Sequence, residues 1–478
     1  MLDIIKRRFN NSHETIYGVV GYSIIFLISL IFIYFILKDV NWIIGDDRQF
    51  LVSTAIGKTG VVGDSIGGRY WPLGFFDYNI LVFIPGGHTV LGHYIYVAIT
   101  FGLSILLFVA LLERILQSNK YVPCLIAYCF ILLMLTAGFC RIFMEVIFPE
   151  RIIILLLLIF MHCYLYALET QKAIYYFSAF CVAIYTTYCK EPIFGLFATI
   201  AATNLIFGNR NLSENRRYIY FNYALILNAI VYFSQWYCYA FRNTTAFYGE
   251  YYRRSIERII FFTECLLIFV FIFAFVRLYF IIFKKDRDHL YLDSLLFAAA
   301  AYALAFVILR LADGHYFIPS ILLAIPSFAY WVNHGILRKK ILHVIIVVTV
   351  GSSWEMYNNL PITKYFFKTT LERRISDMNT VENICALSKS LEIPIYFYKN
   401  KNVHYSDYMR IVWNDFLEYT TKDKGIAADI SEPHSLPDRG IILYPTTNVN
   451  DVSIARELTA KNFRLLKRKA VTNIYICE

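Results

Sequence analysis

Two adjacent carboxylates, Asp46 and Asp47, stand in the stretch "WIIGDDRQF" (42–50) and are followed directly by Arg48. A carboxylate can act as a general base or as a ligand of a divalent cation. Two like charges side by side repel each other, which favours the protonation of one of them, and Arg48 would offset that repulsion. The pair therefore predicts a general base, with Asp47 preferred and Asp46 as its supporting neighbour.

Four more short stretches combine acids and bases beside Pro or Gly: "GGRYWPLGFFDYN" (67–79), "CRIFMEVIFPER" (140–151), "YCKEPIFG" (188–195) and "RLADGHYFIP" (310–319). Arginine and lysine stabilise the negative charge that grows on a departing phosphate, while a carboxylate takes the proton of an acceptor hydroxyl. The candidate phosphate-binding cations are Arg69, Arg141, Lys190 and Arg310. The candidates for holding a sugar or an acceptor are Arg48, Tyr70, Trp71, Asp77, Glu145, Glu150, Glu191, Asp313 and His315.

A purely structural interpretation of these charges is also open. Glu191 beside Lys190, or Glu150 beside Arg151, would form interfacial ion pairs worth under about 1 kcal/mol each. The functional interpretation depends on all five charged stretches together rather than on any single ion pair. A metal ion would need several oxygen ligands at one place, and the cations alone suffice for a phosphate leaving group, so we predict no metal and no cofactor, with a divalent ion as the less favoured alternative.

The composition indicates whether these residues belong to a soluble protein or to a membrane protein. Of the 478 residues, 58% are hydrophobic and only 17% are charged, and the mean hydropathy is +0.53. A soluble domain of this size does not have that balance, which indicates a polytopic membrane protein. The net charge of +10 is explained by cytoplasmic loops and anionic lipid head groups, so no nucleic acid is expected as a partner.

The apolar stretches predict about eleven membrane-spanning helices. They are Ile16–Leu37, Leu91–Leu112, Tyr121–Gly138, Ile152–Leu168, Ala173–Tyr188, Ile193–Gly208, Tyr218–Phe241, Ile259–Phe283, Leu290–Leu309, Tyr316–Val332 and Ile341–Trp354. Basic residues before the first span predict a cytoplasmic N-terminus. All five charged stretches then lie on the opposite, external face, which is unexpectedly rich in arginine.

Two parts of the chain are expected outside the spans. The first external loop, residues 38–90, is too long for a structureless connection, and we predict two interfacial helices in it, one over Asp46–Ile56 and one around Trp71–Phe83. The first 354 residues form the membrane domain. Residues 355–478 are polar and predict a small external α/β domain with helices at Leu371–Leu391, Tyr405–Tyr419 and Val449–Asn462 and strands at 394–398, 440–445 and 471–477.

With this layout the chain resembles the membrane glycosyltransferases of the GT-C class, which have many spans and an acidic catalytic residue in the first external loop. It is most similar to the phage- and prophage-encoded O-antigen glucosyltransferases responsible for serotype conversion, the Gtr group. The motifs that carry the resemblance are "GDDRQF" (45–50), "GRYWPLGFFDYN" (68–79), "KEP" (190–192) and the polar C-terminal domain. The resemblance covers the whole chain in layout and about the first 90 residues in motifs.

The resemblance implies an inverting transfer of glucose, or another hexose, from undecaprenyl phosphate to the O-antigen part of lipopolysaccharide. The protein would lie in the bacterial inner membrane, with its C-terminal domain and its reaction on the periplasmic side. A flippase and a glycosyltransferase that makes the donor would act upstream. Asp46 or Asp47 becomes the base, and Arg69 with Arg141 or Lys190 contacts the phosphate. Tyr70 and Trp71 would stack on a sugar ring or anchor the loop at the interface.

Two other functions fit part of the pattern. An O-antigen polymerase has a similar number of spans, but its large soluble loop would lie between internal spans rather than at the C-terminus. A flippase or transporter for a lipid-linked sugar would have charges in mid-membrane and pseudo-symmetric halves. Most charges here lie at helix ends, and the chain has no internal repeat of that kind.

Overall fold

The computed structural model describes residues 12–45, 47–48, 50–51, 70–116, 120–208, 215–242, 265–309, 314–337, 341–399, 406–422, 427–430, 436–446, 452–469 and 472–477. The chain divides into two compact units. The helical unit comprises Met1–Ile36, Val62–Tyr78 and Ile95–Phe367, and the sheet unit comprises Leu37–Val61, Asn79–Tyr94 and Lys368–Glu478. The predicted domain boundary between residues 354 and 355 stays a prediction.

The described residues are mostly helical. The helices are α1 (Ser12–Leu37), α2 (Val90–Ile115), α3 (Val122–Leu135), α4 (Ala137–Met144), α5 (Glu150–Thr170), α6 (Ala173–Thr187), α7 (Ile193–Phe207), α8 (Arg216–Trp236), α9 (Cys265–Phe283), α10 (Leu290–Leu309), α11 (Gly314–Leu337), α12 (Ile341–Leu391), α13 (Ser406–Thr421) and α14 (Val452–Ala460). A 3₁₀ helix covers Phe76–Phe83, within the stretch predicted to hold an interfacial helix, and a π-helical turn, Tyr237–Phe241, follows α8.

Six described helices are long and apolar enough to cross a membrane: α1, α2, α5, α8 with its π-helical turn, α10 and α11. A seventh span is possible if α3 and α4 act as one, although they are bent by 73°. The bend lies at Thr136, which has an extended backbone (φ −67°, ψ 115°) between the two helices. The shorter apolar helices α6, α7 and α9 also lie at predicted spans. The total of about eleven spans stays a prediction.

Close backbone contact and buried polar groups position the helices of the helical unit. A Cβ atom on Gly138 of α4 would lie only 2.4 Å from the backbone carbonyl carbon of Gly314, so glycine is required where α4 meets the start of α11. Deeper in the unit, Tyr164 donates a hydrogen bond to Asn204, whose amide donates to Asn222. In an apolar surrounding such polar groups must be paired, and here they join three helices, α5, α7 and α8.

The sheet unit contains a five-stranded mixed sheet in the order β2-β1-β3-β5-β4. The strands are β1 (Ile395–Tyr398), β2 (Ala427–Ile430), β3 (Gly440–Pro445), β4 (Arg464–Lys469) and β5 (Thr472–Cys477). The strands β1, β3 and β5 lie where the sequence predicts them, whereas β2 and β4 were not predicted. The predicted last span and the predicted helix Leu371–Leu391 are parts of one helix, α12, which is 51 residues long and continues through Pro361.

Candidate active site

The structure places the predicted site residues in both units, and the two groups are described separately. Asp47 and Arg48 belong to the sheet unit. The helical unit holds Tyr70, Trp71, Asp77, Arg141, Glu145, Glu150, Lys190, Glu191 and His315. Four predicted site residues, Asp46, Arg69, Arg310 and Asp313, lie outside the described residues, so their roles stay predictions.

In the sheet unit, Asp47 closes the turn that follows α1. The backbone N–H of Ile43 donates to Oδ2 of Asp47 (2.9 Å), and the N–H of Leu51 donates to the Asp47 carbonyl (3.1 Å), which starts a helical turn. Gly45 has φ +137°, a backbone conformation that favours glycine. Only 3% of Asp47 is exposed. The acidic turn is therefore a defined structure with its aspartate held by backbone.

Two residues of α12, Arg373 and Asp377, bind the same turn although they lie far from it in the sequence. The N–H of Ile44 donates to Oδ2 of Asp377 (3.1 Å), and the guanidinium of Arg373 donates to the carbonyl of Ile44 (3.0 Å). Lys469 of β4 donates to the second oxygen of Asp377 (3.2 Å). Because Asp377 is almost fully buried, this arrangement compensates for the cost of burying its charge.

The next residue of α12, Arg374, is fully buried. It donates to the carbonyl of Lys38 (2.9 Å), and its guanidinium carbon lies 4.3 Å from the centre of the Tyr94 ring. Arg373, Arg374 and Asp377 are not among the site residues predicted from the sequence. Their only signal was an arginine and an aspartate four residues apart in "RRISD" (373–377), a spacing typical of any solvated helix.

Arg48 forms an ion pair with Asp415 of α13. From the sequence, Arg48 is expected to offset the repulsion between Asp46 and Asp47, and charge spacing gives no sign of its partner Asp415. Burial raises the pKa of the Asp415 carboxyl above its usual value, and Arg48 opposes part of that shift. Arg48 thus connects the helical turn after Asp47 to the C-terminal part of the sheet unit.

In the helical unit, residues from three of the predicted external helix ends form one cluster. Glu150, at the start of α5, is fully buried and forms an ion pair with Lys190, from the loop before α7. The Lys190 ammonium lies 4.3 Å from the ring centre of Tyr316 at the start of α11. His315 packs on the ring of Phe148, with centres 4.7 Å apart. Within the described part of the chain, Oε2 of Glu150 has no hydrogen-bond partner.

A second buried ion pair lies beside this cluster. Arg151 is fully buried and donates to Asp77 of the 3₁₀ helix and to Thr100 of α2 (3.1 Å). Its guanidinium carbon also lies 4.4 Å from the ring centre of Tyr78. Arg151 is therefore paired with Asp77 rather than with its sequence neighbour Glu150. This ion pair fastens the segment around Asp77 to the helices.

The segment around Tyr70 is held by its backbone. Glu191 accepts a hydrogen bond from the Tyr70 N–H (3.2 Å), and the Tyr70 carbonyl accepts one from Tyr232. The Tyr70 ring stacks on Tyr239, with centres 5.9 Å apart and planes 16° apart. Trp71 packs edge to face on Phe75 at 5.0 Å. Both aromatic rings thus have intramolecular packing partners.

Arg141 is the most accessible described cation among the predicted phosphate contacts. Its side chain is 24% exposed, and its Nε lies 3.6 Å from the Glu145 carboxylate. The guanidinium carbon lies 4.9 Å from the ring centre of Phe148 and 5.1 Å from that of Phe366. Stacking on aromatic rings orients a guanidinium through its flat face, while its N–H groups point sideways and suit a phosphate.

No group of three or more His, Cys, Asp or Glu side chains that could hold a metal ion occurs among the described residues. Each unit instead offers buried carboxylates held by a cation or by backbone N–H groups, and partly exposed guanidinium groups, that of Arg141 in the helical unit and that of Arg48 in the sheet unit. Such groups can take up a proton and balance the charge of a phosphate.

No protein-family model and no curated protein matches the chain. Among solved structures, the crystal structure of ArnT from Cupriavidus metallidurans bound to undecaprenyl phosphate is similar, with a TM-score of 0.52 and 10% sequence identity over 95% of this chain and 98% of that one. The apo ArnT structure from the same organism gives a TM-score of 0.50 and 11% identity over 96% and 98% of the two chains.

Likeness at such low identity shows a shared fold. The fold of this chain is therefore similar to that of ArnT, while membership of the GT-C class stays a prediction. The closer likeness to the Gtr group stays a prediction.

Proposed function

We propose that the protein is a membrane glycosyltransferase that takes its sugar from a polyprenyl-phosphate donor. The observation that carries this proposal is the ArnT-like fold over 95% of the chain, since that neighbour was crystallised with undecaprenyl phosphate. The charged residues of the helical unit are consistent with it, because cations at helix ends can balance the negative charge of a lipid-linked phosphate. The protein is a multi-pass protein of the bacterial inner membrane, and its N-terminus is cytoplasmic.

In this reaction the donor phosphate is bound by cations. Arg141 has the accessibility and the orientation for a direct phosphate contact, and Arg69 and Arg310 remain candidates from the sequence. Lys190 contributes less directly, because Glu150 already balances its charge. These cations neutralise the phosphate as it departs, so the reaction requires no metal ion.

The base in this proposal is Asp47 or Asp46. The carboxylate takes the proton of the acceptor hydroxyl, the hydroxyl oxygen forms a bond to the anomeric carbon, and the bond from that carbon to the phosphate oxygen breaks. The electron pair leaves with the polyprenyl phosphate, and the anomeric configuration inverts. The fixed turn around Asp47 would hold the base in a constant orientation, which is what positioned catalysis needs.

The finer proposal follows the sequence resemblance. The sugar is glucose or another hexose, the acceptor is the O-antigen of lipopolysaccharide, and the transfer occurs on the periplasmic side, where the C-terminal domain lies. A flippase and a glycosyltransferase that makes the donor act before it. Glu145, Glu191 and His315, with Asp77 and Asp313, would shape the space for the sugar and the acceptor.

Sugar-linkage analysis of the surface polysaccharide tests this proposal. It compares cells that contain the wild-type chain, cells that lack it, and cells that contain an Asp46→Asn/Asp47→Asn variant at equal abundance. One additional hexose branch per repeat unit, present only with the wild-type chain, is the expected result. A change in chain length without a new branch would identify a polymerase. An unchanged polysaccharide, with the lipid-linked sugar accumulating on one membrane face in the absence of the chain, would identify a transporter.

A further inference from the structure

The sheet unit contains a groove between the C-terminal half of α12 and the edge strand β4. Its volume is about 480 Å³, within the range of about 300 to 1,000 Å³ that is usual for small-molecule sites. On the α12 side it is lined by residues that include Thr380, Asn383 and Leu387, and on the sheet side by Leu466, Lys467 and Ile474.

A β-bulge in β4 shapes the sheet side of this groove. Leu465 pairs with Tyr475 of β5 and Lys467 pairs with Ile474, so Leu466 is the extra residue between them. A bulge turns a side chain away from the regular alternation of the strand. Leu466 and Lys467 therefore both line the groove, next to the buried Ile474, although they are neighbours in sequence.

The edge strand β4 is strongly basic. Its sequence is "RLLKRK" (464–469), and Arg464 and Lys467 are exposed. Lys469 is engaged by Asp377. Lys467 has no acidic partner within the described residues, so its positive charge is uncompensated beside the groove.

The lining favours one class of ligand. Asn383 offers an amide, and Thr380 and Ser390, whose hydroxyls donate to carbonyls of α12, offer acceptor oxygens. Leu387, Leu466 and Ile474 offer aliphatic surface. A saccharide has hydroxyl groups on its edges and C–H groups on its ring faces, and it fits such a mixed wall. The uncompensated Lys467 adds a preference for an anionic substituent, because a charge-assisted hydrogen bond is stronger than a neutral one.

We propose that this groove binds a segment of an acidic glycan, a few sugar units that carry a carboxylate or a phosphate, as part of the acceptor polysaccharide. The inference rests on the proposed function, because an acceptor is what such an enzyme must hold besides its donor. It adds a recognition site for the acceptor, formed by α12, β4 and β5, outside the residues assigned to the reaction.

A membrane surface fits the same basic strand less well. Lipid binding requires the exposed apolar residues to share one face with the basic ones. Leu465 and Lys467 pair with the adjacent β5 residues Tyr475 and Ile474, which point to opposite faces of the sheet. Leu466 lines the groove beside Lys467, whereas Leu465 lies on the other face, so the two leucines of β4 do not form one apolar stripe.

The test measures binding of a polysaccharide to the full chain in nanodiscs of zwitterionic lipid. The sugar donor is left out and the chain carries Asp46→Asn/Asp47→Asn, so that no sugar is transferred during the measurement. The probe is the delipidated surface polysaccharide of the source cell, with neutral dextran beside it. We expect Lys467→Gln to weaken binding about tenfold and to reduce its salt dependence. Asn383→Trp, at an exposed helix position, should fill the groove and abolish binding.

Lys368→Gln is the matched control, since it removes one positive charge from an exposed position of α12. It should bind the polysaccharide like the parent protein. Equal binding by all variants would overturn the inference, and so would binding that requires anionic lipid in the nanodisc. If the groove variants lose binding while the wild-type chain transfers no sugar, the groove stands and the proposed function fails.

Discussion

The carboxylate of Asp377 accepts a hydrogen bond of 3.1 Å from the backbone N–H of Ile44, although 333 positions separate the two residues. Ile44 lies just before the paired aspartates, so the turn that carries the candidate base is held by the long helix α12. Lys469 binds the other carboxylate oxygen at 3.2 Å. The backbone of the turn before Asp47 thus depends on Asp377 of α12, whose carboxylate is in turn bound by Lys469 of β4.

Asp377→Asn should weaken this arrangement and lower sugar transfer at least tenfold, because it removes the charge that Lys469 and Arg373 share. Breaking a buried ion pair on one side costs about 3 kcal/mol, which should appear as a lower melting temperature. Glu372→Gln on the same helix is the control, since Glu372 is exposed and lies 3.8 Å from Lys368. Unchanged turnover in Asp377→Asn protein of normal abundance would show that the turn needs no such support.

The buried pair of Glu150 and Lys190 should be strongly coupled. Glu150→Gln and Lys190→Met each leave a charge without its partner and should each cost about 3 to 5 kcal/mol, whereas the double variant should cost less than their sum. Thermal unfolding of the four proteins in one detergent measures the coupling. The exposed pair Arg114 and Glu169 is the control, with a coupling of about 1 kcal/mol or less. Additive costs for Glu150 and Lys190 would contradict the pairing.

Gly138→Ala should displace the start of α11, because its Cβ would lie 2.4 Å from the backbone of Gly314, next to His315. The variant should be less stable and should transfer sugar more slowly. Gly102→Ala in α2 is the control, since nothing lies within 4 Å of its Cβ, and alanine there should stabilise the helix by up to about 1 kcal/mol. Similar effects of the two changes, in melting temperature and in rate, would refute the close contact.

Asp415 predicts a pH dependence of stability. Burial raises the pKa of its carboxyl, with Arg48 opposing, above the unfolded reference value of 3.8. Its contribution is therefore fully present below that reference value and is lost as the pH rises through the folded pKa. Relative to Asp415→Asn, the wild-type protein should lose melting temperature as the pH rises from 3.8 through the raised folded pKa. A difference that stays constant, or that grows in favour of the wild type, would contradict this direction.

The sequence predicted those helices and strands that have an apolar pattern within their own residues. The strands β1 and β3 are mostly apolar runs, and β5 is apolar from Ile474 to Cys477, so all three were predicted. The strand β4 is a basic edge strand with a bulge, and β2 reads "AADI" (427–430), where alanine and aspartate are residues depleted in strands, so neither has a strand pattern. The predicted last span and the predicted helix Leu371–Leu391 were expected as two elements, but α12 runs through both without a break.

For the candidate site, the sequence placed the charged stretches at helix ends but could not assign their partners. Glu150 pairs with Lys190 rather than with Arg151, and Arg151 pairs with Asp77. Pairing across 40 or 74 positions depends on helix packing, which charge spacing does not encode. The role of Asp377 was missed for the same reason, since its partner is a backbone N–H 333 positions away.

The central claim is the transfer of a sugar from a polyprenyl phosphate. Its most direct test supplies the purified chain with undecaprenyl-phosphate-linked radioactive glucose and the unmodified surface polysaccharide, with and without a chelator, and measures the label in the polysaccharide. We predict transfer of the label without a metal requirement, abolished in the Asp46→Asn/Asp47→Asn variant and retained in the Glu372→Gln control. Label that stays on the lipid with wild-type protein, or equal transfer by the aspartate variant, would contradict it.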